Sequence, residues 1–115
     1  MATQDIRAKL SYHSVSAQKV RLVLDLIRGK DAVEALNILR FVQKRSAEPV
    51  RKLLVSAIAN AEENFGLNRD DLYVAKIYAD EAPTRKWRRF GARGRFKPLL
   101  RRSSHVTIIL REREA

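Results

Sequence analysis

The chain has 115 residues, with 24 Lys or Arg against 13 Asp or Glu and a formal net charge of +11. Its length fits one domain with one core, and 45% hydrophobic residues with only 4 Gly and 3 Pro exclude wholesale disorder. The absence of cysteine excludes a disulfide framework, a thiol nucleophile and a Cys-based zinc site. No stretch approaches the ~18 apolar residues of a membrane-spanning helix. Met1-Ala2-Thr3-Gln4-Asp5 lacks the charged start and apolar run of a secretory signal. A cytosolic chain with a polyanionic partner is expected, nucleic acid first and an anionic membrane surface second.

In chain order, the first predicted element is a strand over Ile6–Tyr12. Ile6, Ala8, Leu10 and Tyr12 alternate with Arg7, Lys9 and Ser11, which leaves two cations on the face opposite the apolar one. A first helix is predicted from a Ser16 cap to Gly29. Val20, Val23, Leu24 and Ile27 form its core stripe, and Leu22 and Leu26 imply cover on a second side. Arg21, Asp25 and Arg28 share its polar face.

A second helix opens with the capping-box spacing of Asp31 and Glu34 and presents Ala32, Ala35, Leu36 and Leu39. After a basic turn at Lys44-Arg45, a third helix is predicted from Ser46 to just before Gly66. Its stripe is Val50, Leu53, Leu54, Ala57, Ala61 and Phe65, and Glu48 is placed to pair with Lys52. Two more strands, Leu72–Ala79 and His105–Arg111, complete the body. The expected fold class is α+β: three helices on one face of a three-stranded antiparallel sheet, with a long protruding β-hairpin.

That hairpin is predicted from charge. Residues 1–82 carry 13 basic and 11 acidic side chains, whereas residues 83–115 carry 11 and 2. Between Pro83 and Arg102 stand Arg85, Lys86, Arg88, Arg89, Arg93, Arg95, Lys97, Arg101 and Arg102 without a single acid. Neither alternating face of this stretch is apolar, so it cannot pack on the body. The predicted division is a globular body, 1–82 with 103–115, and a basic arm, 83–102, that bends at Gly91-Ala92-Arg93-Gly94. Arginine outnumbers lysine seven to two in the arm, and its planar fork suits phosphate oxygens and base faces. Trp87, Phe90 and Phe96 are interleaved as candidates for stacking on unpaired bases, with packing at the domain edge as the alternative.

Catalytic and metal-binding patterns are missing. His13 and His105 are isolated, and the acidic pairs Glu62-Glu63, Asp70-Asp71 and Asp80-Glu81 read as helix surface, turn and loop. Gly91-x-x-Gly94 lacks the Lys-Ser/Thr of a phosphate loop. No catalytic residue, cofactor or metal site is expected. A DNA-bending or nucleoid-associated protein that lays the arm in a groove is the alternative to an RNA-binding one.

Two motifs carry a family resemblance. The run from Ser16-Ala17-Gln18-Lys19-Val20-Arg21 to Arg28-Gly29-Lys30 resembles the first-helix signature of bacterial large-subunit ribosomal proteins of family twenty-two. Ala92-Arg93-Gly94-Arg95, followed by Arg101-Arg102-Ser103-Ser104-His105-Val106-Thr107-Ile108, resembles its hairpin tip and return strand. Ala57–Asn60, Leu72-Tyr73-Val74 and Asp80-Glu81-Ala82-Pro83 also fit, so the resemblance covers nearly the whole chain. Ala17 replaces a usual proline, Phe90 and Gly91 a usual proline and arginine, and Phe96 a small residue.

The resemblance implies a structural protein of the cytoplasmic ribosome. Its body would lie near the peptide exit, its hairpin would line the nascent-chain tunnel, and it would support assembly. The implied partners are several domains of large-subunit rRNA, neighbouring large-subunit proteins and the nascent polypeptide, with no self-association. Carried over by position, Gly91, Ala92, Arg93 and Gly94 form the tip with Arg95 beside it. Arg85, Lys86, Trp87, Arg88, Arg89, Lys97, Arg101 and Arg102 line the legs. Ser16, Lys19 and Arg21 are implied body contacts, and the cations Arg7, Lys9, Lys44 and Arg45 complete that candidate set.

Overall fold

Alternation of apolar and polar residues at the start of the chain folds as strand β1, Ile6–His13. The computed structural model describes residues 5–83, 85–90 and 96–113. Helices α1 (Ala17–Ile27), α2 (Ala32–Phe41) and α3 (Ala47–Phe65) follow β1, then a 3-10 turn at Arg69–Asp71. Strands β2 (Leu72–Glu81), β3 (Arg85–Phe90), β4 (Phe96–Arg101) and β5 (Ser104–Glu112) complete the order. β5 lies in the middle of an antiparallel sheet of order β1-β5-β2, while β3 and β4 form a separate two-stranded ribbon. The fold class is α+β, as the periodicities predict.

One core joins the inward stripes of the helices to one face of the sheet. Val20, Val23, Leu24 and Ile27 of α1 meet Leu39 of α2, and Val50, Leu54, Ala57 and Ala61 of α3. On the sheet side stand Ile6, Leu72, Val74, Ile77, Val106, Ile108 and Leu110. The small alanines of α3 let it lie close to its neighbours, and burial of this apolar surface is the main stabilising term. Gly29 and Gly66 sit at φ of 78° and 63°, left-handed positions that suit glycine at the ends of α1 and α3.

Several local expectations fail, two of them because a distant partner wins. Ser16, Asp31 and Ser46 occupy the N-cap positions, yet none makes a side-chain cap bond. The Asp31 carboxylate instead accepts from Arg113 Nε at 2.6 Å, and the Ser46 hydroxyl pairs with His13 Nε2 at 3.0 Å. Glu48 takes the forked guanidinium of Arg51 rather than Lys52, because two parallel N–H bonds outweigh one ammonium contact. Leu22 and Leu26 are 60% and 46% exposed, so α1 is covered on one side only. Phe65 also stays partly exposed, at the end of the α3 stripe.

The register contains two irregularities on one leg. Val74 pairs with Leu110 and Lys76 with Ile109, so β2 spends an extra residue at Ala75. Glu81 pairs with Ser104, and the next described pair is Arg85 with Arg101. The outgoing leg therefore takes four steps where the return leg takes three. The Ala82 N–H donates to Ser103 O at 3.0 Å across this junction, so the ribbon prolongs the β2–β5 ladder.

Candidate nucleic-acid interface

The ribbon pairs the cation-rich strand β3 with β4, in which Phe96, Pro98 and Leu100 alternate with Lys97, Leu99 and Arg101. In β3 and β4 the register sets Arg85 opposite Arg101, Arg89 opposite Lys97, Arg88 opposite Pro98 and Lys86 opposite Leu100. Trp87 pairs with Leu99 and Phe90 with Phe96. Like charges directly opposite in an antiparallel pair are destabilising, and residues 83–102 hold no acid to offset them. Pro98 is tolerable here because both strands of a two-stranded ribbon are edges. The predicted bend at Gly91, Ala92, Arg93 and Gly94, and Arg95 beside it, lie outside the described residues.

The root of the ribbon is tied to the body by bonds of high sequence separation. The buried Ser104 hydroxyl donates to Val15 O at 2.9 Å, linking the start of β5 to the loop before α1. The Tyr12 N–H donates to His105 Nδ1 at 3.0 Å, and the two rings meet edge to face with centroids 4.6 Å apart. Tyr12 has a φ of 54°, where the β1–β5 register shifts. That left-handed residue sits in the bulge, after which β1 pairs again at His13 opposite Ser104, with the His13 ring against Ser46.

The candidate contact Arg21 and its neighbour on the same helix face, Arg28, already have work in the fold. Arg21 Nη2 donates to Ala79 O at 2.7 Å and Arg28 Nη2 to Ile77 O at 2.9 Å. Both carbonyls belong to β2, an edge strand of the sheet. Unpaired edge groups invite pairing with other chains, and the guanidinium forks occupy two of them. Further along, Gly29 and Lys30 exchange backbone bonds with Val74, which extends this cover.

The remaining body candidates fall into two places. Lys44 and Arg45 form the exposed turn between α2 and α3, next to the root of the ribbon. Partial burial, then the Arg45 charge, holds the His13 imidazole below its ordinary value. Ser16 and Lys19 begin α1 at the same end of the body, since Val15 is bonded to Ser104. Arg7 and Lys9 lie apart from these, exposed on the sheet face opposite the helices. At its far end the Arg111 guanidinium holds the Asp5 carboxyl below the usual carboxylate range through a hydrogen bond.

Sequence reasoning missed Ser104 as the tie at the root, although Ser103-Ser104-His105 stood inside the second motif. It also missed the edge-closing bonds of Arg21 and Arg28, whose i, i+7 spacing on one helix face was the available signal. Among the described residues no group of three or more His, Asp or Glu is placed to hold a metal ion. None of their helices is long and apolar enough to cross a membrane.

A near-neutral α+β body with a cationic two-stranded ribbon defines a class of basic, ribbon-bearing α+β proteins. The family of ribosomal protein L22p/L17e matches residues 8–111, and the chain belongs to that family. It is 54% identical over 110 residues to the large ribosomal subunit protein uL22 of Thermoanaerobacter sp. (strain X514), covering 96% of this chain and 99% of the relative. It is 53% identical over 107 residues to uL22 of Caldicellulosiruptor saccharolyticus, covering 93% and 88%.

Proposed function

We infer that the protein is a structural, non-enzymatic constituent of the large ribosomal subunit in the cytoplasm, and that it binds large-subunit rRNA. The ribbon of residues 83–102 inserts among RNA helices, supports their assembly and forms part of the nascent-chain tunnel wall. The body sits near the peptide exit, against neighbouring large-subunit proteins. The observation that carries this reading is the cross-strand pairing of Arg85 with Arg101 and Arg89 with Lys97 in an acid-free ribbon. Such a ladder gains most when phosphates lie between its charges. Family membership along nearly the whole chain supports it.

Binding of the full chain to a large-subunit rRNA fragment tests it. With about nine phosphate contacts, log affinity should fall with log salt at a slope of roughly −6 to −8. Duplex DNA of equal length should compete poorly. A slope shallower than about −2, or equal displacement by duplex DNA, overturns the reading and favours a groove-binding DNA protein.

A further inference from the structure

The helices all pack on the sheet face that carries Ile6, Val74, Ile108 and Leu110. On the other face, Arg7 of β1 and Lys76 of β2 flank Ile109, while Lys9 and Tyr78 flank Thr107. Ile109 and Thr107 are nevertheless only 4% and 5% exposed. Residues directly opposite across a sheet stand about 4.5–5.5 Å apart. The cover therefore comes from the aliphatic stems of the cations and the Tyr78 ring, with the charged heads left in water.

Among the described residues, Arg7, Lys9 and Lys76 form no ion pair. The acids of this face stand at its two ends. Asp5 is held by Arg111, and Asp80 lies opposite His105. Between them stand three cations that form no ion pair, together with Tyr78, which is 39% exposed; the Asp5 carboxylate acts on Arg7 and Lys76 through its charge alone, from one end of the face. Tyr73, by contrast, is already covered by the Arg113 guanidinium, 4.5 Å from its ring centre.

We propose that this helix-free face is a second RNA surface, which binds a short unpaired segment with a base on Tyr78 and phosphates on Arg7, Lys9 and Lys76. The charge selects a polyanion. The exposed ring favours an unpaired strand, because a base inside a duplex has no free face to stack. β2 at one edge of the face and β5 at its centre run on into the ribbon, so one RNA can follow both surfaces. The proposal rests on the rRNA-binding reading and adds a site to it.

The test uses the full chain with all nine ribbon cations, Arg85, Lys86, Arg88, Arg89, Arg93, Arg95, Lys97, Arg101 and Arg102, replaced by Gln, so that the ribbon does not compete. The probe is fluorescein-labelled dodecauridine that carries one 4-thiouridine. Tyr78→Ala should weaken binding about tenfold with the salt slope unchanged, and Tyr78→Phe should restore it. Arg7→Gln with Lys9→Gln and Lys76→Gln keeps the cover over Ile109 and should flatten the slope by about 2. The photo-crosslink should map to the peptide containing Tyr78. Binding that ignores all these changes, a crosslink confined to residues 83–102, or equal displacement by polyglutamate whatever stands at 78 overturns the proposal. Those outcomes leave the rRNA reading intact, whereas failure of the unaltered chain to bind large-subunit rRNA overturns both.

Discussion

The body and the ribbon are both antiparallel sheet, but opposite forces decide them. In the body, cross-strand rows such as Ala8 with Ile108 and Leu10 with Val106 place apolar residues against a helical layer. In the ribbon, rows such as Arg85 with Arg101 place like charges together, with no second layer predicted to receive them. The first sheet is stable through what it buries, and the second depends on what surrounds it. Stability and RNA affinity should therefore respond to different residues.

The sharpest test of that separation is neutralisation of the ribbon. Replacing Arg85, Arg88, Arg89, Lys97 and Arg101 with Gln should lower rRNA affinity on the order of a thousandfold and flatten the salt slope by about 4. The melting temperature should hold or rise, as repulsion is removed. A fall of more than a few degrees would break the comparison. The converse change is Leu54→Ala in the fully buried stripe of α3, expected to cost about 3 kcal/mol in chemical denaturation. The salt slope of the folded fraction should not change.

Smaller effects probe the seam between the regions. Ser104→Ala leaves Val15 O without its buried donor and should cost about 1–2 kcal/mol. Amide exchange should speed up first at Ala82 and Val15. Arg21→Ala, which frees the Ala79 carbonyl, should cost about 1 kcal/mol, while Arg21→Lys restores only part. The smallest expected effect is on pH dependence. His13 is held below its ordinary value of 6.5, so below that pH the unfolded chain takes up the proton more readily than the folded one. Stability is therefore full above about pH 6.5 and declines as pH falls through the lowered value. His13→Gln should flatten melting temperature between pH 7.5 and 5.5, and an unchanged slope would remove His13 from that role.

Most of the body was legible because its signals are local. The i, i+3, i+4, i+7 stripe of Val20, Val23, Leu24 and Ile27 fixed the inner side of α1, and Gly29 and Gly66 marked two helix ends. What could not be read depends on partners far along the chain. Asp31 looked like a cap, but Arg113, 82 residues away, takes its carboxylate. Leu22 and Leu26 looked like a second buried side, yet a three-stranded sheet offers α1 only one surface. The ribbon was legible from charge alone, since no other pattern in the chain excludes acids over twenty residues. The cations of the helix-free face were visible as an alternation in β1. Their grouping with Lys76 and Tyr78 required the register.

That register also sets a direction. At Ala75 and again between Glu81 and Arg85, the surplus residue falls on the outgoing leg. A bulged strand bends and tightens its right-handed twist, so the extra residue at Ala75 acts like the longer outer rail of a curve. The aim of the ribbon is then set in part by covalent path length. Shortening that track by one residue would leave the rungs paired and turn the same charges in a different direction.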